Sequence, residues 1–260
     1  MQLEGKIAVI TGGGRGLGKG IALTFAAEGA DVVIAARNEA ALKETAAEIK
    51  AMGRQCLAIA TDQSVPEQVS DMVDRTLEKF GRVDVLVNNA GIGGPALSVA
   101  DMDLEAWNQT LAINLTGAML CTKYVLKNDM IPRKSGSIIN ISSVSGRKGH
   151  PNRSPYSVSK WGLISLTQSL ALEVGQYGIR VNCISPGPVV GERIEWALRQ
   201  VSKSKGISYE QAVADEVART ALGRMVKPEE VGCLAVFLAS DKSASITGQT
   251  INCSAGLVMN

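Results

Sequence analysis

A single α/β domain built on a doubly wound parallel sheet of about seven strands is the fold class that this sequence predicts. Three observations carry the expectation. Short apolar runs alternate with amphipathic helical stretches along the whole chain. A glycine-rich turn joins the first run to the first helix. The polar residues that stand out follow directly after the runs, where sheets of this class bind ligands. The 260 residues, 45% apolar and 20% charged, suit one large domain spanning 1–260. No linker, repeat or low-complexity segment divides them.

Residues 6–10 form the first run, followed by Thr11-Gly12-Gly13-Gly14-Arg15-Gly16-Leu17-Gly18. A helix with Ile21, Leu23, Phe25 and Ala26 ends near Gly29, and a second strand covers 31–36. This is a parallel βαβ opening, whose glycines allow tight turning and bring a phosphate close to backbone at the helix N-terminus. The glycines read GxxxGxG at 12, 16 and 18, not GxGxxG. Residues 13–20 also come within one position of a P-loop. Gly20 stands where that motif needs a hydroxyl for magnesium, so a nucleoside triphosphatase is only a minor alternative.

The pattern then continues. A helix is expected over 38–52, a third strand over 56–60 ending in Thr61-Asp62-Gln63, and a helix over 65–80 with Pro66 in its first turn. A fourth strand at 83–87 leads into Asn88-Asn89-Ala90-Gly91. After a loop with Gly93, Gly94 and Pro95, one long helix is expected over about 104–128, containing Asn114. A fifth strand at 137–142 leads into Ser143, and a sixth at 180–184 into Ser185-Pro186-Gly187-Pro188. Residues 191–225 read as two polar helices with a capping box at Ser208 and Gln211. A helix at 228–239 and a short strand at 250–253 complete the chain.

The chemistry concentrates between Ser143 and Lys160. Ser154-Pro155 reads as an N-cap followed by a proline at the first helical position. Apolar Val158, Trp161, Ile164, Leu166 and Leu170 carry the helix to about Gly175. Tyr156 and Lys160 therefore share one helix face near its start. A tyrosine with its ordinary pKa of about 10 is too weak an acid for work at neutral pH. An ammonium one turn away and the positive helix N-terminus favour the phenolate and bring it towards the range of a general acid/base. Ser143, on a different element, could hold a substrate oxygen against it. Alone, YxxxK is far more often a half-exposed pair on an amphipathic helix; the rest of the chain changes that reading.

Composition removes other classes. A net charge of +2 and a pI near 8.2 give no basic field for nucleic acid. The cysteines at 56, 121, 183, 233 and 253 are scattered and odd in number, which supports neither a disulfide framework nor a metal site. Reduced cysteines in a cytoplasmic protein are the plain expectation. The N-terminus has no signal-peptide pattern, and no apolar run reaches 18 residues, so no membrane partner is expected.

Taken together, the glycine turn at 11–18, Asp62, Asn88-Asn89-Ala90-Gly91, Asn114, Ser143, Tyr156-x-x-x-Lys160 and Pro186-Gly187 resemble the short-chain dehydrogenase/reductase family over the whole length, in particular its 3-oxoacyl-carrier-protein reductases. The resemblance implies a Rossmann-type fold and an NAD(P)-dependent alcohol dehydrogenase or ketoreductase. It implies that Tyr156 exchanges a proton with the substrate oxygen, that Ser143 hydrogen-bonds that oxygen, and that Lys160 lowers the tyrosine pKa and holds the nicotinamide ribose. Asn114 would support a water linking Lys160 to solvent. Gly12, Gly16, Leu17 and Gly18 would surround the pyrophosphate and ribose, Asp62 and Gln63 the adenine, and Asn89, Ala90 and Gly91 the adenosine side. Pro186, Gly187 and Val189 would line the nicotinamide, whereas Asn88 is expected to tie strands together. Members preferring NAD usually carry an acid after the second strand. Here Ala36 leaves that place empty, and Arg37 with Arg15 could grip a 2′-phosphate. NADP(H) is therefore expected, with NAD(H) possible through Asn38.

Two departures from the family stand out: Gly191 replaces a threonine often found four places after Gly187, and the tail reads Cys253-Ser254-Ala255-Gly256. Residues 188–225 would cover the substrate. Ser145, Arg153 and Arg193 could face it, and two arginines would suit an anionic compound unless both are solvated; His150 reads as a loop residue. The expected substrate is a small-molecule carbonyl or alcohol. A 3-oxoacyl thioester comes first, then a sugar, polyol or small hydroxy compound. A non-catalytic nucleotide sensor is the remote alternative. A homotetramer joined through the Asn114 and Tyr156 helices is the family expectation.

Overall fold

The computed structural model describes residues 1–259. Seven strands form one parallel sheet in the order β3-β2-β1-β4-β5-β6-β7. They are β1 (Ile7–Thr11), β2 (Asp31–Ala36), β3 (Cys56–Ala60), β4 (Val85–Asn88), β5 (Gly136–Ile141), β6 (Ile179–Pro186) and β7 (Thr250–Cys253). The helices are α1 (Gly16–Ala27), α2 (Glu39–Ala51), α3 (Pro66–Phe80), α4 (Leu104–Leu111), α5 (Gly117–Val125), α6 (Ile131–Arg133), α7 (Ser154–Val174), α8 (Glu192–Lys205), α9 (Tyr209–Ala218) and α10 (Pro228–Ala239). The expected doubly wound sheet is the one found.

Alternation along each strand divides the core in two. Ala8, Ile10, Val32 and Ile34 pack with Phe25 of α1, Ile49 of α2 and Val231 of α10. Val9, Val33 and Leu86 point the other way, to Met72 of α3, Val125 of α5 and Leu170 of α7. Both faces are covered, which is why the strands read as unbroken apolar runs. Gly20 has its reason here: a Cβ on it would stand 2.4 Å from Cβ of Pro228. The near match to a P-loop thus ends on a glycine that lets α1 and α10 touch.

Four local expectations need correction. The helix expected over 104–128 continues to Arg133 and carries two π-helical turns, at Ala112–Thr116 and Leu126–Met130. Ser154 is the first helical residue of α7 and not its N-cap; Arg153 holds that place without a side-chain cap, so Pro155 falls one position later. Val158 and Trp161 are 46% and 50% exposed, so the buried face of α7 runs instead through Leu163, Thr167, Leu170 and Val174. The capping box at α9 is half formed. Ser208 accepts from the Gln211 N–H at 3.1 Å, but the Gln211 side chain turns to Asp215.

The segment between β6 and α10 is pinched off at its base. Val189 pairs with Val226, the Val190 N–H donates to the Val226 carbonyl at 2.9 Å, and the Val226 N–H to that of Pro188 at 2.9 Å. Helices α8 and α9 lie in the loop so closed.

At the amino edge of the sheet, far from the glycine turn along β1, Asp84 is 9% exposed and accepts from three sources. These are the Ile7 N–H at 2.8 Å, Arg82 at 2.9 Å and Arg133 at 3.2 Å. Asp84→Ala removes hydrogen bonds to two charged groups and one amide. It should cost about 2 kcal/mol, read as a fall in Tm of about 4–8 °C, with nucleotide affinity unchanged in a binding titration.

Candidate active site

The site lies at the carboxyl edge of the sheet, beside the point between β1 and β4 where the strand order reverses. There the glycine turn holds its shape by crowding and by left-handed backbone. Gly12 and Gly16 have φ of +69° and +52°. A Cβ on Gly18 would stand 2.1 Å from the Gly12 carbonyl oxygen, whereas one on Gly16 would meet nothing within 4 Å. The Thr11 hydroxyl accepts from the N–H groups of Asn89 and Ala90, each at 3.0 Å, and the Asn89 amide donates back to the Thr11 carbonyl at 2.9 Å. Two loops are so stitched into one floor. The open face at Gly16 and the unpaired first-turn N–H groups of α1 suit a pyrophosphate, so the expected dinucleotide fits.

At the ends of β2 and β3, Arg37 stands 3.8 Å from Asp62 and remains 63% exposed. Burial raises the Asp62 pKa, but two hydrogen bonds from Ser64 and the Arg37 charge bring it below the ordinary value. Arg15 reaches across to Glu192 at the start of α8, 4.0 Å away. Two expected cofactor contacts are engaged elsewhere. The Asn38 side-chain oxygen caps α2, accepting from the Ala41 N–H at 3.0 Å. Gln63 is 7% exposed, and its amide donates to the carbonyls of Ala90 and Ile113. Its side-chain nitrogen braces the floor from within and is not left to meet an adenine.

The four residues of the acid/base set converge. Lys160 is 3% exposed, and its ammonium donates to the Ile141 carbonyl at 2.8 Å. Asn114 sits in the first π-helical turn, which turns its amide away from the regular helix ladder. It donates to the Ile92 carbonyl at 2.9 Å, accepts from the Ile92 N–H at 2.7 Å, and donates to the Ser159 hydroxyl at 3.0 Å. Ser159 in turn donates to the Tyr156 carbonyl at 2.7 Å. A Cβ on Gly91 would lie 3.1 Å from the Asn114 oxygen and 3.6 Å from the Lys160 nitrogen, so glycine there keeps the space between them clear. Ser143 accepts from the Ser145 N–H at 3.1 Å and hydrogen-bonds the Tyr156 hydroxyl.

Tyr156 is buried, which by itself raises its pKa. The charges of Arg193 and Lys160, the Ser143 hydrogen bond and the Arg153 charge outweigh this and bring it down to about 8. The guanidinium carbons of Arg153 and Arg193 lie 5.2 and 5.0 Å from the ring centre, and the Lys160 nitrogen 5.8 Å. Both arginines therefore face the tyrosine. Burial lowers the Lys160 pKa more than the tyrosine raises it. Such a set can move a proton near neutral pH while two hydroxyls grip one oxygen.

On the opposite wall, the Gly187 N–H donates to the Cys253 carbonyl at 3.0 Å, and a Cβ there would stand 2.8 Å from Ser254 Cα. Pro186 is buried at the end of β6, and Val189 packs on the core edge. Gly191 has φ of +139° and stands at the N-cap of α8, so a side-chain contact from the threonine often found there is not available. His150 is a loop residue whose pKa is lowered by burial and by Lys148 and Arg219. Among the described residues no three His, Cys, Asp or Glu side chains gather as metal ligands, and no helix is long and apolar enough to cross a membrane. The Ser159 hydroxyl and the Ile141 carbonyl escaped sequence reasoning. A serine at i+3 and a strand-end carbonyl carry no motif.

A protein-family model described as enoyl-(acyl carrier protein) reductase matches residues 12–258. A 3-oxoacyl-[acyl-carrier-protein] reductase from Synechocystis sp. is 39% identical over 99% of this chain and 98% of its own length. Among solved structures, actinorhodin polyketide ketoreductase with NADPH superposes with a TM-score of 0.94 at 34% identity, covering 99% of this chain and 98% of that one. NAD+-bound xylitol dehydrogenase does so with 0.92 at 30%, covering 98% and 100%. With its sheet, glycine turn and Ser143-Tyr156-Lys160 constellation in place, the chain belongs to the short-chain dehydrogenase/reductase family of nicotinamide-dependent oxidoreductases.

Proposed function

We propose that this protein interconverts a ketone and a secondary alcohol with NADP(H), with 3-oxoacyl thioesters as the first substrate class. The observation that carries the reading is the buried Tyr156 hydroxyl, hydrogen-bonded to Ser143, ringed by cations and brought to a pKa of about 8. The bound nicotinamide supplies or takes up the hydride. Tyr156 gives its proton to the carbonyl oxygen in reduction and takes it back in oxidation. Ser143 donates to the same oxygen as negative charge grows on it. Lys160 holds the tyrosine towards phenolate and reaches the ribose, while Asn114 keeps open the path by which the proton is replaced. Gly12, Gly16, Leu17 and Gly18 take the pyrophosphate, Asp62 the adenine edge, Ala90 and Gly91 the adenosine side, and Pro186, Gly187 and Val189 the nicotinamide. Residues 188–225 cover the substrate.

For NADP(H) the support is Ala36, which puts no carboxylate after β2, and Arg37, largely exposed beside it. The ketoreductase neighbour carries NADPH. NAD(H) is the alternative, supported by the neighbour solved with NAD+. For the substrate, the family model and the relative from Synechocystis sp. favour an acyl thioester. Arg153 and Arg193 beside Tyr156 favour the second reading, a small hydroxy compound. A homotetramer in the cytoplasm completes the proposal, and the exposed Val158 and Trp161 on α7 supply an apolar face for it.

Titration of purified protein with NADPH and NADH, then turnover on ketones, acyl thioesters, sugars and hydroxy acids, tests the reading as a whole. Tyr156→Phe should lower kcat by at least about a thousandfold, within the range for a lost proton donor, and leave NADPH affinity within about twofold. Retained turnover removes the tyrosine from its role. Reduction rates should fall as pH rises through about 8, where the hydroxyl loses its proton, and oxidation rates should rise over the same interval. Arg37→Asp should weaken NADPH at least tenfold more than NADH; an equal loss of both means that no 2′-phosphate is bound there.

A further inference from the structure

The arginines of this protein are, as a rule, answered. Arg54 meets Glu4 and Asp31, Arg82 and Arg133 meet Asp84, Arg219 meets Glu216, and Arg224 meets Glu230. Arg180 instead meets the carbonyls of Leu238 and Ser240. Arg199 also lacks a carboxylate, but it is exposed and stands over the Tyr209 ring; Arg153 and Arg193 differ in turning to the buried Tyr156. Neither guanidinium has a carboxylate or a hydrogen-bond acceptor among the described residues. They come from different elements, Arg153 from the start of α7 and Arg193 from the start of α8. Both nonetheless turn towards one small space. A Cβ on Gly93 would lie 3.4 Å from a terminal nitrogen of Arg153 and 3.7 Å from one of Arg193. The same two guanidiniums stand over the Tyr156 ring.

Like charges do not gather beside a buried ammonium without a counter-charge. Burial disfavours the charged form of Arg153, and Arg193 disfavours it further, with only the tyrosine acting the other way. Solvent relieves part of this for Arg193, which is exposed, but Arg153 is half-buried. Planar forked donors are the side chains suited to gripping an oxyanion in two places. Gly93 supplies the room, since any side chain there would enter the gap.

We propose that Arg153 and Arg193 form an oxyanion subsite beside Tyr156, so that the preferred substrate is a small ketone or secondary alcohol bearing a carboxylate, sulfonate or phosphate a few bonds from the reacting carbon. This rests on the carbonyl-reductase reading of the Tyr156 site and deepens the second of its substrate readings, the small hydroxy compound, by giving that compound an anionic group. The subsite has a second effect. A bound anion offsets the two cations that favour the phenolate, so Tyr156 keeps its proton to higher pH in the complex than in the free enzyme.

The test pairs charged with neutral substrates: acetoacetate against methyl acetoacetate, dihydroxyacetone phosphate against dihydroxyacetone, and an oxoalkyl sulfonate against the corresponding ketone. The proposal expects at least one charged member to exceed its neutral partner at least tenfold in kcat/KM, and the best of the three names the anion. Arg153→Gln and Arg193→Gln should each reduce that charged-to-neutral ratio about ten- to hundredfold, the range for a lost hydrogen bond to a charged group. Both substitutions also alter the acidity of Tyr156, so the ratio is measured at a pH well below 8, where the hydroxyl keeps its proton with either substrate. The fall of reduction rate with pH should lie higher for the charged substrate than for its partner. Calorimetric binding of malonate to the NADP+ complex supplies an arm independent of turnover, and Arg153→Gln/Arg193→Gln should abolish it while NADPH binding is retained. Malonate that does not bind, or binds equally to the double variant, overturns the subsite whatever the activity panel shows. Efficient turnover of neutral thioesters with no charged preference also overturns it but leaves the reductase reading standing. Malonate binding without turnover of any carbonyl compound upholds the subsite and removes the reductase reading.

Discussion

A positive charge buried without a carboxylate is the constraint on which the rest of this site depends. Lys160 is 3% exposed and has a main-chain carbonyl, that of Ile141, as its hydrogen-bond acceptor. Removing an ammonium from water costs several kcal/mol, and one carbonyl dipole does not repay that. The remaining compensation comes from a tyrosine that is readily deprotonated. Desolvation makes the lysine an uneasy cation, and the uneasy cation makes Tyr156 a better acid. Each supports the other where α7 meets the end of β5, and Arg193, Ser143 and Arg153 add to the effect on the tyrosine. The Ser142 hydroxyl, donating to the Lys160 carbonyl at 2.8 Å, fixes that meeting point from the strand side.

Amides do much of the remaining positioning. Asn88 donates to Asn140 and Thr122, and Asn140 donates to Thr167, a buried chain running from β4 through β5 to α7. Asn114 does the same work nearer the site, joining the loop after β4 to a helical turn and, through Ser159, to the backbone of Tyr156. Buried polar chains of this kind are costly when half satisfied and define one geometry when complete. They set the separation between the glycine floor and the acid/base set, over which a dinucleotide must stretch.

The sheet was legible because strands covered on both faces are unbroken apolar runs, and β2, β3 and β7 have the bounds that their flanking glycines and polar residues suggest. Helix α10 was legible for the same reason, with Pro228 at its first position. What the sequence concealed is three-dimensional in origin. The π-helical turn at Asn114 has no marker, since an inserted residue leaves the apolar pattern readable as one continuous helix. The exposed face of α7 carries Val158 and Trp161, whose periodicity imitates a core face. Asn38 and Gln63 are polar residues in the expected places whose side chains are occupied by capping and bracing. Arg153 and Arg193 lie forty positions apart in the chain, and only the fold shows that they look at the same tyrosine.

The bridge between Val189 and Val226 divides the molecule into parts with different freedoms. Everything outside it is locked to the register of the sheet, where a shift of one residue would exchange the two cores. Everything inside it leaves and re-enters at nearly one point, so its length and sequence place no demand on the strands. Selection can therefore rewrite α8 and α9, and with them the company that Tyr156 keeps, without renegotiating the fold. A chain of this design can acquire a new substrate by exchanging a cover, and because Arg193 belongs to that cover the acidity of Tyr156 is retuned with it.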